Sequence, residues 1–195
     1  MATVMNRKGY GQVEPNHLSG IVTGQIYAQL PAATVTGSGQ SVVKTPIAQL
    51  EQGQFAKYDY AKGVVDFDGE GEFMLVYNEE KLYDERKQSH KDFVYKVGDF
   101  TDGFLYPRLI KTNIGDIYTT NTIAVANTSD TATVGTVSLS VGNYLQVGSN
   151  GFLNLVTGTG GAAATTMPTT GMVWKVVKEY TMPDGQPGVK IQRVQ

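Results

Sequence analysis

Val173-Trp174-Lys175-Val176-Val177-Lys178-Glu179-Tyr180-Thr181 and Val189-Lys190-Ile191-Gln192-Arg193-Val194 flank the connection Met182-Pro183-Asp184-Gly185-Gln186-Pro187-Gly188. Apolar and polar residues alternate along both flanks, the period of two expected of a strand with one face in a core and one in water. The alternation places Trp174, Val176 and Tyr180 on one face and Val189 with Ile191 on the matching face of the partner. Lys175, Glu179, Lys190 and Gln192 then point away. A connection rich in proline and glycine closes the two flanks into a β-hairpin.

Upstream, Val137, Leu139, Val141, Leu145 and Val147 keep one parity, and Gly148-Ser149-Asn150-Gly151 supplies a turn after which Leu153 and Leu155 return on the same side. This predicts a second hairpin. Gly158 to Thr170 reads as a small-residue loop. Residues 131–195 are therefore expected to form a C-terminal small β-barrel or sandwich, with Asn127-Thr128-Ser129-Asp130 as the polar boundary before it.

Residues 21–126 read as a β-rich domain. Val22, Ile26, Ala28 and Leu30 share a parity up to Pro31, and Thr34 to Gln40 reads as a loop. Short strands are expected around Ser41 to Lys44, at Phe55 to Tyr60, and at Glu72 to Tyr77 with Phe73, Leu75 and Tyr77 inward. A further extended run leads from Tyr106 through Ile117-Tyr118-Thr119 to Ile123 and Val125. One helix is predicted over 79–90, with Asn78 as N-cap, Glu79 and Glu80 in the first turn, and Lys87, His90 and Lys91 toward its end. Residues 1–20 are polar, glycine-bearing and without periodicity, and read as an extended N-terminal arm that orders on a partner. The fold class is mainly β: short antiparallel strands in small barrel or sandwich units, with one short helix and the arm.

Composition narrows the function. A chain of 195 residues can bury a core without metal or disulfide support, and the absence of cysteine removes disulfides, thiolate nucleophiles and zinc-thiolate sites. A net charge of −2 supplies no basic field for phosphate, so nucleic acid is not an expected partner. No apolar run has the length of a membrane span, so no membrane partner is expected. Met1 to Lys8 lacks the pattern of an export signal. The 23 glycines fit frequent turns between short strands.

No constellation points to catalysis, a cofactor or a metal, and a non-enzymatic protein is expected. Asp66, Asp68, Glu70 and Glu72 fall on one side of an extended chain and could gather oxygen ligands for calcium, but an acidic hairpin turn is the simpler reading. Gly158-Thr159-Gly160-Gly161 lacks the lysine and the strand-turn-helix setting of a phosphate loop. His17 and His90 sit in no nucleophile or metal motif. The tyrosines and phenylalanines from Tyr58 to Tyr106 suit core and interface, the tyrosines pairing an apolar body with a polar tip.

Leu50 to Tyr60, Pro107 to Asn121, Asn143 to Gly148 and Lys175 to Val194 give most of the chain a style that resembles the head decoration, or auxiliary capsid, proteins of tailed bacteriophages. The resemblance implies a β-rich structural protein without enzymatic activity, made in the host cytoplasm and placed on the virion surface. It implies the major capsid protein as partner and a homo-oligomer, a trimer or dimer, that cements the capsid lattice. Arg7, Lys8 and Tyr10 of the arm are the expected capsid or inter-subunit contacts. A carbohydrate- or receptor-binding β module of a virion neck, tail or head fibre is the alternative.

Overall fold

The structure, a computed structural model, describes residues 2–6, 11–24, 26–27, 30–38, 41–77, 95–96, 102–124, 135–183 and 185–195. The expected helix over 79–90, His90, the arm residues Arg7, Lys8 and Tyr10, and the boundary at 127–130 lie outside the described residues. The strands are β1 (Ala2–Asn6), β2 (Val13–His17), β3 (Ile26–Tyr27), β4 (Ala33–Thr36), β5 (Val43–Pro46), β6 (Gln49–Leu50), β7 (Phe55–Asp59), β8 (Val64–Asp66) and β9 (Met74–Val76). They continue as β10 (Tyr95–Lys96), β11 (Leu109–Ile110), β12 (Ile117–Thr120), β13 (Gly135–Leu139), β14 (Tyr144–Val147), β15 (Leu153–Leu155), β16 (Val173–Thr181) and β17 (Pro187–Arg193). The described helix, α1, is a single turn at Ser19–Val22. Every strand pairing is antiparallel, so the mainly β reading holds.

The terminal hairpin is the spine of a six-stranded sheet ordered β15-β14-β16-β17-β12-β2. Trp174, Val176, Val189 and Ile191 are buried and Lys175, Lys190 and Gln192 are half-exposed, as alternation requires. A register shift between Val176 and Lys178 then reverses the parity of the outer end. Glu179 lies opposite core residue Val189, and Tyr180 lies opposite Gly188. The expectation that Tyr180 shares the face of Trp174 is thereby corrected: one extra residue moves every later side chain to the other face.

A second sheet, ordered β3-β11-β9-β7-β8, packs against the first. Its registers align Phe55 with Leu75 and Leu75 with Ile110, and these three join Trp174, Tyr118 and Ile191 in one core cluster. Ala56, Met74, Val76 and Leu109 alternate with them and enter a second cluster with Leu50, Val65 and Leu105. This sheet is thus covered on both faces, which is why Met74, Leu75 and Val76 are all buried although alternation alone assigns only Leu75 inward. The β4–β5 hairpin lies over the second cluster, with Ala32 bridging to Val65 and Leu105. The packing is therefore layered, and none of the described sheets closes into a barrel.

The aromatic centre ties the layers together. Trp174 packs edge-on against Tyr118 at 5.0 Å between ring centroids and tilted against Phe55 at 5.8 Å. Neither Trp174 Nε1 nor Tyr118 Oη has a hydrogen-bond partner among the described residues, so packing holds this cluster.

Residues 11–20 are part of the body. β2 pairs with β12, with Pro15 tolerated because the strand is an edge. Val13 and Leu18 are buried, Gln12 N donates to Asn121 Oδ1 at 2.8 Å, and Thr120 Oγ1 donates to Gln12 O at 2.7 Å. Asp116 fastens α1 by accepting from Ser19 N at 3.1 Å and Ser19 Oγ at 2.9 Å. β1 runs along β13 from Ala2↔Leu139 to Asn6↔Gly135. Strands from 1–20, 21–126 and 131–195 therefore share one sheet, and the arm reading is corrected for residues 11–20. Two smaller readings change too. Ile21 and Val22 are helical and not in a strand, while Ala33–Thr36 is a strand and not a loop.

Glycine is required where the second hairpin docks. Gly151 has φ +78°, its carbonyl accepts from Phe55 N at 2.8 Å, and a Cβ there would lie 2.1 Å from Phe55 O. Gly142 has φ +95° but open space around it, in the turn that leaves Val141 exposed instead of inward. Gly142→Ala is expected to cost about 1–2 kcal/mol of backbone strain, and Gly151→Ala about 1–3 kcal/mol more from overpacking. Trp174→Ala should cost about 3–5 kcal/mol. Urea unfolding of the three variants checks the order.

Candidate functional site

An open surface cleft follows from how β17 ends. Arg193 closes the strand opposite Trp174 and turns its side chain across to the second sheet. There its Nη1 donates to Glu72 Oε1 at 2.8 Å, to Thr112 Oγ1 at 3.2 Å and, at short range, to Thr112 O, while Nε donates to Gln195 O at 3.1 Å. Lys111 Nζ approaches the other Glu72 oxygen at 3.4 Å. Glu72, itself 36% exposed, is an acceptor held from two sides at the junction of the layers. The fork of the guanidinium suits this multiple contact in a way an ammonium cannot match.

Two hollows meet at Glu72. The larger is an open cleft of about 610 Å³ whose walls include Lys57, Phe73, Gln146, Met172, Arg193 and Gln195. The smaller, about 320 Å³, is bounded by Tyr58, Tyr60, Met74 and Lys111, and both share Gly71 and Glu72. Lys57 Nζ sits 4.5 Å above the Phe73 ring. Gln146 Nε2 donates to Thr170 O at 2.7 Å, which ties the long loop before β16 to the rim. Tyr60 stacks on Tyr58 with ring centroids 5.4 Å apart and planes 17° from parallel. It leaves 75% of its own surface in solvent.

The acidic run that suggested calcium is dispersed by the turn it forms. Asp66 is buried and accepts from Gly69 N at 2.5 Å, Asp68 and Glu70 face solvent, and Glu72 turns toward Arg193. Among the described residues no group of three or more His, Asp or Glu side chains could hold a metal ion. Asp59 instead accepts from Lys62 N at 2.9 Å and pairs with Lys62 Nζ at 2.8 Å, and Asp66 Oδ2 stands 3.8 Å from the same ammonium. The hydrogen bond from Lys62 holds the Asp59 carboxyl below its usual range, and the same bond raises the Lys62 ammonium.

Other groups singled out by sequence are not brought together. His17 is exposed on the edge strand β2. Thr159–Gly161 forms one 3-10 turn. Asp102 accepts from Tyr106 Oη at 2.5 Å, which lowers the acid and raises the phenol. Tyr118 is raised well above a free phenol by burial alone. Tyr180 is raised by its hydrogen bond to the Glu14 carboxylate three strands away. None of these pairs faces the cleft. Of the cleft residues, the aromatic reading named Tyr58, Tyr60 and Phe73, whereas Lys57, Lys111, Gln146 and Arg193 carry no sequence signal because no spacing links them.

The chain matches no family model, no curated protein and no solved structure.

Two outcomes follow from the charge geometry. In Lys62→Met the Asp59 carboxyl should titrate closer to its usual value, followed by carboxyl NMR. Because its folded pKa is depressed, the stability Asp59 contributes is present above the unfolded value near 3.9 and is lost as pH falls through the folded value. The variant should therefore lose less stability than wild type on acidification through that window. Arg193→Met should cost about 1–3 kcal/mol, since buried Thr112 loses its donor, and Glu72→Gln less than about 1 kcal/mol at this half-exposed site. Denaturant midpoints measured at low and high salt test both.

Proposed function

We propose that the protein is a non-enzymatic structural component of a phage virion that binds the outer surface of the capsid lattice as a homo-oligomer and stabilises it. The observation that supports this most is the way the chain ends are fastened. β2 at one edge and the terminal hairpin β16–β17 at the centre belong to one six-stranded antiparallel sheet, and β1 is paired along β13. Each of these strands is held by a ladder of several lateral backbone hydrogen bonds. A protein that cements a shell under internal pressure benefits from that arrangement, and repetition over a symmetric surface turns modest contacts into tight retention.

Attachment through the N-terminal segment takes a narrower form in the light of the fold. Val13 and Leu18 belong to the core, so removal of residues 1–20 would damage the body. Strand addition by β1, with Arg7, Lys8 and Tyr10 beyond it, is the contact proposed for the lattice or a neighbouring copy. Deletion of residues 2–10 alone should keep the cooperative unfolding of the body and abolish retention on expanded capsids in a co-sedimentation assay. Undiminished retention would rule out this segment as the contact.

The decisive measurement is the copy number in purified virions by quantitative mass spectrometry against the major capsid protein. Hundreds of copies in a simple ratio to the capsid subunit are expected. A dozen or fewer would move the protein to a neck, tail or fibre position, and absence would overturn the reading.

A further inference from the structure

The cleft at Glu72 is unused by lattice binding, and its chemistry is specific enough to name a ligand class. Tyr60 is the feature that stability does not explain: a large aromatic ring, 75% exposed, held flat by stacking on the buried Tyr58. A ring stacked on one neighbour and otherwise in solvent is a platform for another flat, weakly polar surface. Glu72, shared by both hollows, and Gln146, in the wall of the larger one, present planar carboxylate and amide groups, whose acceptors and donors match neighbouring hydroxyls. The two hollows, about 610 and 320 Å³, fall within the usual size of small-molecule sites, are open, and share Gly71 and Glu72 in their walls, which suits a segment of a chain laid along the surface.

Charge decides among chain-like ligands. Arg193 and Lys111 both contact Glu72, and Lys57 lies over Phe73, so two of the three cations of the lining are held by a carboxylate. Glu70 adds a second carboxylate to the smaller hollow. A phosphate, a sulfate or an acidic polymer would meet three cations offset by these two carboxylates, a lining with little net field to favour an anion. A neutral sugar has an apolar C–H face for Tyr60 and vicinal hydroxyls for the planar groups, and it carries no charge to be compensated. We infer that the Tyr60–Glu72–Gln146 cleft binds a neutral oligosaccharide segment, with Tyr60 as the stacking platform and Glu72, positioned by Arg193 and Lys111, as the hydroxyl acceptor. This inference stands independently of lattice binding, since it needs neither an oligomer nor a capsid.

Affinity electrophoresis of the full chain through gels containing laminarin, dextran, xylan or galactomannan, with polygalacturonate as an acidic comparison, tests it. At least one neutral polysaccharide should retard the protein. Tyr60→Ala should raise the apparent Kd about tenfold or more while leaving thermal unfolding unchanged, because the ring is mostly outside the core. Gln146→Ala, in the wall of the larger hollow, should weaken retardation as well. Retardation by none of the neutral polymers, by polygalacturonate alone, or to an extent that both substitutions leave unaltered would overturn the assignment. Capsid retention by Tyr60→Ala protein should equal that of wild type, so that failure of one reading is visible apart from the other.

Discussion

The insertion of Trp174 between Tyr118 and Phe55 is the contact on which the rest of this structure depends. Trp174 and Tyr118 belong to the six-stranded sheet and Phe55 to the sheet beneath it, so a single side chain joins the two layers. A buried indole brings more apolar surface than any other residue, and its edge-to-face contact with Tyr118 adds orientation to that burial. Arg193 lies directly opposite Trp174 in the strand register. The depth of Trp174 therefore fixes where the end of β17 emerges, and with it where the guanidinium meets Glu72.

Layering explains both the rigidity of the body and the location of its cleft. The β9 sheet is buried on two sides, with Leu75 in one cluster and Val76 in the other. Polar residues at the ends of its strands are buried as well, Gln54 before β7, Asp59 at the end of β7 and Asp66 at the end of β8 among them. Where the turn at Gly69–Gly71 leaves the sheet, the layers part and expose Glu72 between Lys111 and Arg193. A cleft at the seam of two sheets is positioned by both, since its lining includes Phe73 beside β9 and Arg193 of β17.

The N-terminal residues show how a weak local pattern acquires structure from its surroundings. Glu14-Pro15-Asn16 has no strand periodicity of its own, yet it completes the edge of the six-stranded sheet because β12 presents unpaired backbone groups there. Thr120 and Asn121 then bond the backbone around Gln12 from their side chains. A segment stitched in this way is held to the sheet by side-chain as well as backbone hydrogen bonds.

Local pattern determined the β class, the terminal hairpin, the second hairpin around Gly148–Gly151 and the inward set Trp174, Val176, Val189, Leu75 and Tyr77, because alternation is a property of neighbouring residues and survives without tertiary context. It could not reveal the register shift after Val176, which depends on how β16 fits β17, nor the burial of Met74 and Val76, which requires a second layer. It also left the helical turn at Ser19–Val22 hidden, since Asp116, 97 positions away from Ser19, caps it. The aromatic members of the cleft were visible as residue types only. Their assembly with Glu72, Arg193, Lys111 and Gln146 was decided by the tertiary structure, because these residues come from separate strands and loops and meet only when the two sheets pack around Trp174.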